Sequence, residues 1–169
     1  MWTWNHRRPI VLVALVLMIV VSAQRAFPDD RLQHRQVQAE VAKELAKEQR
    51  FQNLRVEGEE KTVTLRGTVA LLEDKRQAID RVAEMKGVKI LVSLIKVETE
   101  KVADGLLLKQ LRERLAEQDN TQVNVKIKNG VVTIEGTVQH NVHRESVLST
   151  VAGTSGVIGM KDLLKVAAD

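Results

Sequence analysis

The chain writes one segment twice. Val63-Thr64-Leu65-Arg66-Gly67-Thr68-Val69 returns, with two changes, as Val132-Thr133-Ile134-Glu135-Gly136-Thr137-Val138. The same displacement of 69 positions lays Val82-Ala83 on Val151-Ala152, Gly87-Val88 on Gly156-Val157 and Lys96-Val97 on Lys165-Val166, with no gap. Upstream the displacement becomes 70, and Val37, Val41 and Leu45 meet Leu107, Leu111 and Leu115. A period held over this length is the mark of a duplicated unit. The missing residue belongs in the loop after the first helix, where a deletion costs little. A unit of about 60 residues is marginal alone, so two units docked together are easier to stabilise than either by itself.

Both repeats carry the same succession of patterns. Apolar residues four apart, flanked by Lys, Glu, Arg and Gln, predict amphipathic helices over about 34–50 and about 103–118. Alternating residues then predict a strand: Leu54 and Val56 in the first repeat, Val123, Val125 and Ile127 in the second. The turn is Asn129-Gly130 in the second repeat, the pair favoured in type I′ hairpins, and a less regular Gly58-Glu59-Glu60 in the first. A second strand alternates Val63, Leu65, Gly67 and Val69, matched by Val132, Ile134, Gly136 and Val138. A second helix carries Ile79, Val82 and Ala83, matched by Leu148, Val151 and Ala152. Gly87-Val88 and Gly156-Val157 then open a third strand. The order αββαβ, twice, predicts an α+β protein in which each unit is a three-stranded mixed sheet with two helices on one face.

The strand glycines fall on the apolar face, and a residue without a side chain there lets a helix approach or admits a bulge. Gly67 and Gly136 are therefore expected to be structural, and so are Gly87 and Gly156 at the entry to the third strand. Thr62, Thr64 and Thr68, like Thr133 and Thr137, point the other way. Tyr is absent and both Trp residues sit at the extreme N-terminus, so the expected core is Val, Leu, Ile and Ala.

The N-terminus is a basic stretch, Asn5-His6-Arg7-Arg8-Pro9, followed by an uncharged apolar run that ends in Val21-Ser22-Ala23. That layout predicts a secretory signal peptide over 1–23, with an uncleaved membrane anchor as the alternative. The expected division is then a linker at 24–33, a first domain at 34–98, a linker at 99–102 and a second domain at 103–167. Residues 24–99 carry 15 basic and 13 acidic side chains, and residues 100–169 carry nine of each. A near-neutral body does not have the basic stripe of a nucleic-acid binder. The lack of cysteine excludes disulfides, thiol catalysis and a lipid-bearing cysteine.

With its two αββαβ units, each holding a hydrophobic-Gly-Thr-Val strand and a Gly-Val start to the last strand, nearly the whole chain after residue 33 resembles tandem BON domains (bacterial OsmY and nodulation). The resemblance implies an exported protein of the bacterial periplasm or envelope, associated with phospholipid surfaces, osmotic or envelope stress, or chaperone-like protection of other envelope proteins. It supplies no catalytic residue and no cofactor.

Few residues suggest chemistry. His140 and His143 stand three apart with Glu145 nearby, yet no further metal ligand is evident, and exposed helix-start residues explain them. Glu73-Asp74 open a helix, where negative charge is favourable, on what reads as a solvated edge. The most suggestive surface is the helix that opens the second repeat. Leu106 and Leu108 flank its core stripe as surplus apolar residues, and Lys109, Arg112 and Arg114 add positive charge. Such a face suits an anionic lipid surface, or else fills the interface between the two units. The expectation is thus a non-enzymatic envelope protein whose partner is an anionic phospholipid surface or another envelope protein. A chaperone-like module and an anchored structural subunit are the alternatives.

Overall fold

The computed structural model describes residues 29–59, 62–117 and 123–167. The first repeat forms α1 (Asp29–Leu45), a 3-10 turn (Gln49–Phe51), β1 (Leu54–Glu59), β2 (Thr62–Val69), α2 (Leu72–Ala83) and β3 (Ile90–Val97). The second forms α3 (Asp104–Ala116), β4 (Val123–Lys128), β5 (Val131–Val138), α4 (Asn141–Ala152) and β6 (Gly159–Val166). Each repeat is one sheet, ordered β1-β2-β3 and β4-β5-β6. The first pair in each is antiparallel and the second parallel, so each sheet is mixed. The expected signal peptide lies outside the described residues. No helix among those described is long and apolar enough to cross a membrane.

The two sheets share a register. Val56 faces Leu65 as Val125 faces Ile134, and Glu98 N donates to Val69 O as Ala167 N donates to Val138 O, at 2.8 Å in both domains. One side of each sheet is covered by its helices. Val63, Leu65 and Val69 pack there with Val41, Leu45, Ala78 and Val82; Val132 and Ile134 pack with Leu107, Leu111, Leu115, Val147 and Val151. Nine residues separate Leu45 from Leu54 and eight separate Leu115 from Val123. The change in displacement therefore falls after the first helix.

Three expectations need correction. The first helix stops at Leu45 instead of running to about 50, and the 3-10 turn that follows tucks Phe51 into the core at 1% exposure. Arg50 and Arg81 stack on that ring, 4.8 and 5.8 Å from its centre. The first core is therefore not purely aliphatic. Second, Gly58 and Glu59 belong to β1, paired with Val63 and Thr62, instead of forming the turn; residues 60–61 lie outside the description. In the second domain Asn129 (φ 52°) and Gly130 (φ 74°) do have the two positive φ angles of a type I′ hairpin.

The third correction concerns Gly67. It makes room for backbone, not for a helix. A Cβ there would lie 2.1 Å from the Asn53 carbonyl oxygen, and φ is +129°. The chain entering β1 occupies the space a side chain would need. Close helix approach occurs instead at Gly87 (φ +95°), where a Cβ would meet Val37 Cγ2 of α1 at 2.7 Å. Gly136 and Gly156 repeat these positive φ angles in the second domain.

The domains meet through α2 and α4. Arg76 and Glu145 are equivalent positions, 69 apart, and they pair with each other at 3.2 Å. Contact between equivalents is what a two-fold axis would produce, but the flanking contacts are not reciprocal. Ser149 Oγ lies 3.4 Å from Glu73 Oε1, whereas the matching pair would need Val142, which is 76% exposed. Leu72, at the start of α2, joins the second domain's core, while its counterpart Asn141 is exposed. Thr99, in the connecting segment, bonds Ser155 Oγ (3.1 Å) and accepts from Gly156 N (3.0 Å).

Candidate functional site

The β4–β5 hairpin end of the second domain is tied together by polar bonds. The Asp104 carboxylate, at the first residue of α3, accepts from Asn129 N (2.7 Å) and Gly130 N (3.0 Å) at the hairpin turn. Gly130 O accepts from Ile158 N (3.0 Å) just before β6. Val131 begins β5 and pairs with Gly159. The start of α3, the hairpin and the entry to β6 thus sit at one end of the domain. That end exposes three aliphatic side chains: Leu106 (54%), Val131 (42%) and Ile158 (48%).

The matching positions of the first domain are Gln36, Thr62 and Lys89, all polar. The backbone is common to both ends, so the aliphatic side chains are specific to the second. Lys101, Lys109 and Lys128 are exposed on the segments that converge there. Beside this end, the connecting segment 98–103 and the hairpin turn enclose a cleft of about 710 Å³, whose lining includes Glu98, Glu100, Lys101, Asn129 and Ile158.

The structure divides the surface read from α3. Leu106 is exposed and belongs to the apolar end. Leu108 instead packs against the second core. Its counterpart, Gln38, donates to Gly58 O at 2.7 Å in the first domain, so a polar tie in one repeat is replaced by apolar packing in the other. Lys109 is exposed, 4.0 Å from Glu113, and Arg112 is exposed. Arg114 reaches across to Thr154 Oγ1 at 3.1 Å, on the loop after α4. Arg114 nevertheless stays exposed, so one leucine and all three basic residues of the original five remain on an open surface. Val131 and Ile158 escaped the sequence reading. The signal for them was aliphatic residues at outward positions where the other repeat has Thr62 and Lys89.

Glu73 and Asp74 do not lie on a solvated edge. Asp74 is buried and accepts from Arg50 Nη1 at 3.2 Å, and Glu73 faces the other domain, holding Gln77 at 2.9 Å. Arg50 also binds Glu48, and that hydrogen bond, joined by one from Arg81, holds the Glu48 carboxyl below the usual carboxylate range against an opposing desolvation effect. The His140 and His143 rings are 5.4 Å apart and both residues are exposed. Among the described residues no three His, Cys, Asp or Glu side chains gather as a metal site would require.

Residues 33–99 and 103–168 each match the BON domain. No curated protein matches the chain. Two solved structures of CdsD, the structural protein of the type III secretion system of Chlamydia trachomatis, are similar. One, its C-terminal domain, shares 15% identity over 79% of this chain and 67% of that one, with a TM-score of 0.37. The other shares 16% over 79% and 64%, with a TM-score of 0.35. The chain thus spans about two thirds of the length of those structures, and at such TM-scores the likeness bears on neither arrangement nor role.

Proposed function

The chain belongs to the BON-domain family, with two such domains in tandem, and from that premise we propose that it is a non-enzymatic protein of the periplasm or cell envelope that rests on anionic phospholipid surfaces through the hairpin end of its second domain. BON domains occur in envelope and osmotic-stress proteins, and protection of the envelope under such stress is the role this reading assigns. The observation that carries it is the trio Leu106, Val131 and Ile158, exposed at an end whose twin carries Gln36, Thr62 and Lys89. Half-exposed aliphatic side chains on segments that also expose Lys101, Lys109 and Lys128 suit the boundary between headgroups and acyl chains. Three side chains without a lipid anchor give weak, reversible binding.

The test is co-sedimentation of the protein, as isolated from the envelope, with phosphatidylglycerol or phosphatidylcholine vesicles. Binding to the anionic vesicles that weakens with salt is expected. Replacing the trio by uncharged polar residues (Leu106→Gln, Val131→Thr, Ile158→Gln) should lower the partition coefficient by about one to two orders of magnitude, since each side chain contributes on the order of 1 kcal/mol on leaving water. No binding at low salt, or equal binding by the triple variant, would overturn the reading.

A second reading, association with other polypeptides, is favoured by a different observation: Ile90, Val92 and Leu94 are exposed along the outer face of β3.

A further inference from the structure

β3 is an edge strand. Among the described residues its only strand neighbour is β2. Ile90 (54% exposed), Val92 (38%) and Leu94 (44%) form an aliphatic column on the side away from the helices, and Leu91, Ser93 and Ile95 face inward. No charge interrupts the strand from Ile90 to Ile95. An exposed, uncharged aliphatic edge invites another strand.

We propose that the occupant is a second molecule of this chain: two β3 strands pair antiparallel about a two-fold axis at Ser93, joining two three-stranded sheets into one of six.

Two observations select a second molecule, and a third permits it. The first is the pattern Leu91-Val92-Ser93-Leu94-Ile95, which has two aliphatic residues on each side of a central serine. Reversing it, as antiparallel pairing does, sets Leu91 against Ile95, Val92 against Leu94 and Ser93 against itself. Inner residues meet inner ones and outer residues meet outer ones.

The second is the Ser93 hydroxyl, which is buried and has no hydrogen-bond partner. A buried hydroxyl without a partner is destabilising. Facing residues of an antiparallel pair lie within reach of each other, and a hydroxyl both donates and accepts. A turn about χ1 toward the edge would let it meet the same serine of a second molecule.

The third is charge. Lys89 and Glu98 bound the strand and are both exposed. The reversed register sets Lys89 against Val97 of the other molecule, between its Lys96 and Glu98, so like and opposite charges offset each other at both ends.

The second domain shows how the same edge looks when pairing is blocked. β6 carries Lys161 where β3 has Val92 and Asp162 where it has Ser93, whereas Lys96 and Lys165 are common to both. Asp162 is held by Arg144 of α4 and accepts from Leu164 N at 2.9 Å, so the position that is unpartnered in β3 is satisfied within the molecule in β6. Lysine on an edge opposes strand addition. One repeat has a guarded edge and the other an open one.

The chain has no cysteine, so Ser93→Cys introduces a single thiol at the proposed axis. Facing Cα atoms of an antiparallel pair are about 4.5–5.5 Å apart, within disulfide range. Mild oxidation should give a disulfide-linked species of twice the chain mass that reductant dissolves. Leu163→Cys on β6 should stay monomeric. Adding Val92→Lys, which copies the guard of the second domain onto a surface position, should lower cross-linking of Ser93→Cys by about tenfold or more with an unchanged circular dichroism spectrum. Sedimentation of the unaltered chain, up to roughly 100 µM for an interface this small, should show a dimer that Val92→Lys removes. The proposal is overturned if the unaltered chain sediments as a monomer throughout. It is equally overturned if Ser93→Cys links to a different polypeptide, if Leu163→Cys links as readily, or if Val92→Lys changes nothing.

Discussion

Val41 of the first domain and Leu111 of the second occupy the same step of the same helix, and both are fully buried. Gln36 and Leu106 also share a step, a little earlier on those helices, and both are exposed, yet one is polar and the other aliphatic. Beneath the helices the duplicated domains keep similar side chains, because close packing punishes changes of volume. At the hairpin end and along the third strand nothing enforces likeness, and there the domains have diverged. The first has an open aliphatic edge and a polar hairpin end; the second has a guarded edge and an apolar end. Each thus offers a different surface on a common scaffold.

Four substitutions probe how far the likeness extends. The largest effect is expected at Gly67. Gly67→Ala places a Cβ against the Asn53 carbonyl at a φ of +129°, so stability should fall by about 3 kcal/mol or more. A melting temperature within a few degrees of the unaltered protein would mean that the entry to β1 yields easily and that the glycine is not structural. Next come the paired core positions. Leu111→Ala should cost about 2–5 kcal/mol. Val41→Ala, which removes one carbon fewer, should cost about 1 kcal/mol less. Urea midpoints test the order, and a reversal would show that the first core cannot relax around its cavity whereas the second can.

The smallest effect is electrostatic and belongs to the first domain. The folded Glu48 carboxyl lies below its usual value of 4.5. Above that value it is ionised in both states and its bonds to Arg50 and Arg81 contribute fully. As pH falls from about 4.5 through the lower folded value, the unfolded chain takes up the proton first and the contribution is lost. Glu48→Gln should therefore flatten the acid limb of the stability curve slightly while leaving the rest of its shape unaltered, as read by thermal melts across pH.

The duplication, the order of elements and the Asn129-Gly130 turn were legible because they depend on local periodicity and on backbone angles that few residues tolerate. Leu107, Leu111 and Leu115 were legible for the same reason. Phe51 was not: it stands in a single turn between a helix and a strand, where no period operates, and its burial depends on core side chains distant in sequence. The burial of Asp74 likewise depends on Arg50, 24 residues away. The reason for Gly67 was hidden because its neighbour is a carbonyl, which leaves no side-chain pattern. Leu106 and Leu108 look alike in sequence, and only the helix's rotation over its sheet sends one out and the other in. Arg114 lies seven residues from Leu107, almost two full turns, which lets its guanidinium reach Thr154 while the residue stays exposed.

Leu72 carries one more implication. It belongs to the first domain by sequence and to the second by packing. During synthesis the ribosome releases this leucine well before the residues that will surround it, so the earlier half emerges holding a peg for a socket not yet made. The halves are consequently not interchangeable. Severing the chain between them would leave a notch in one fragment and a bare leucine on the other.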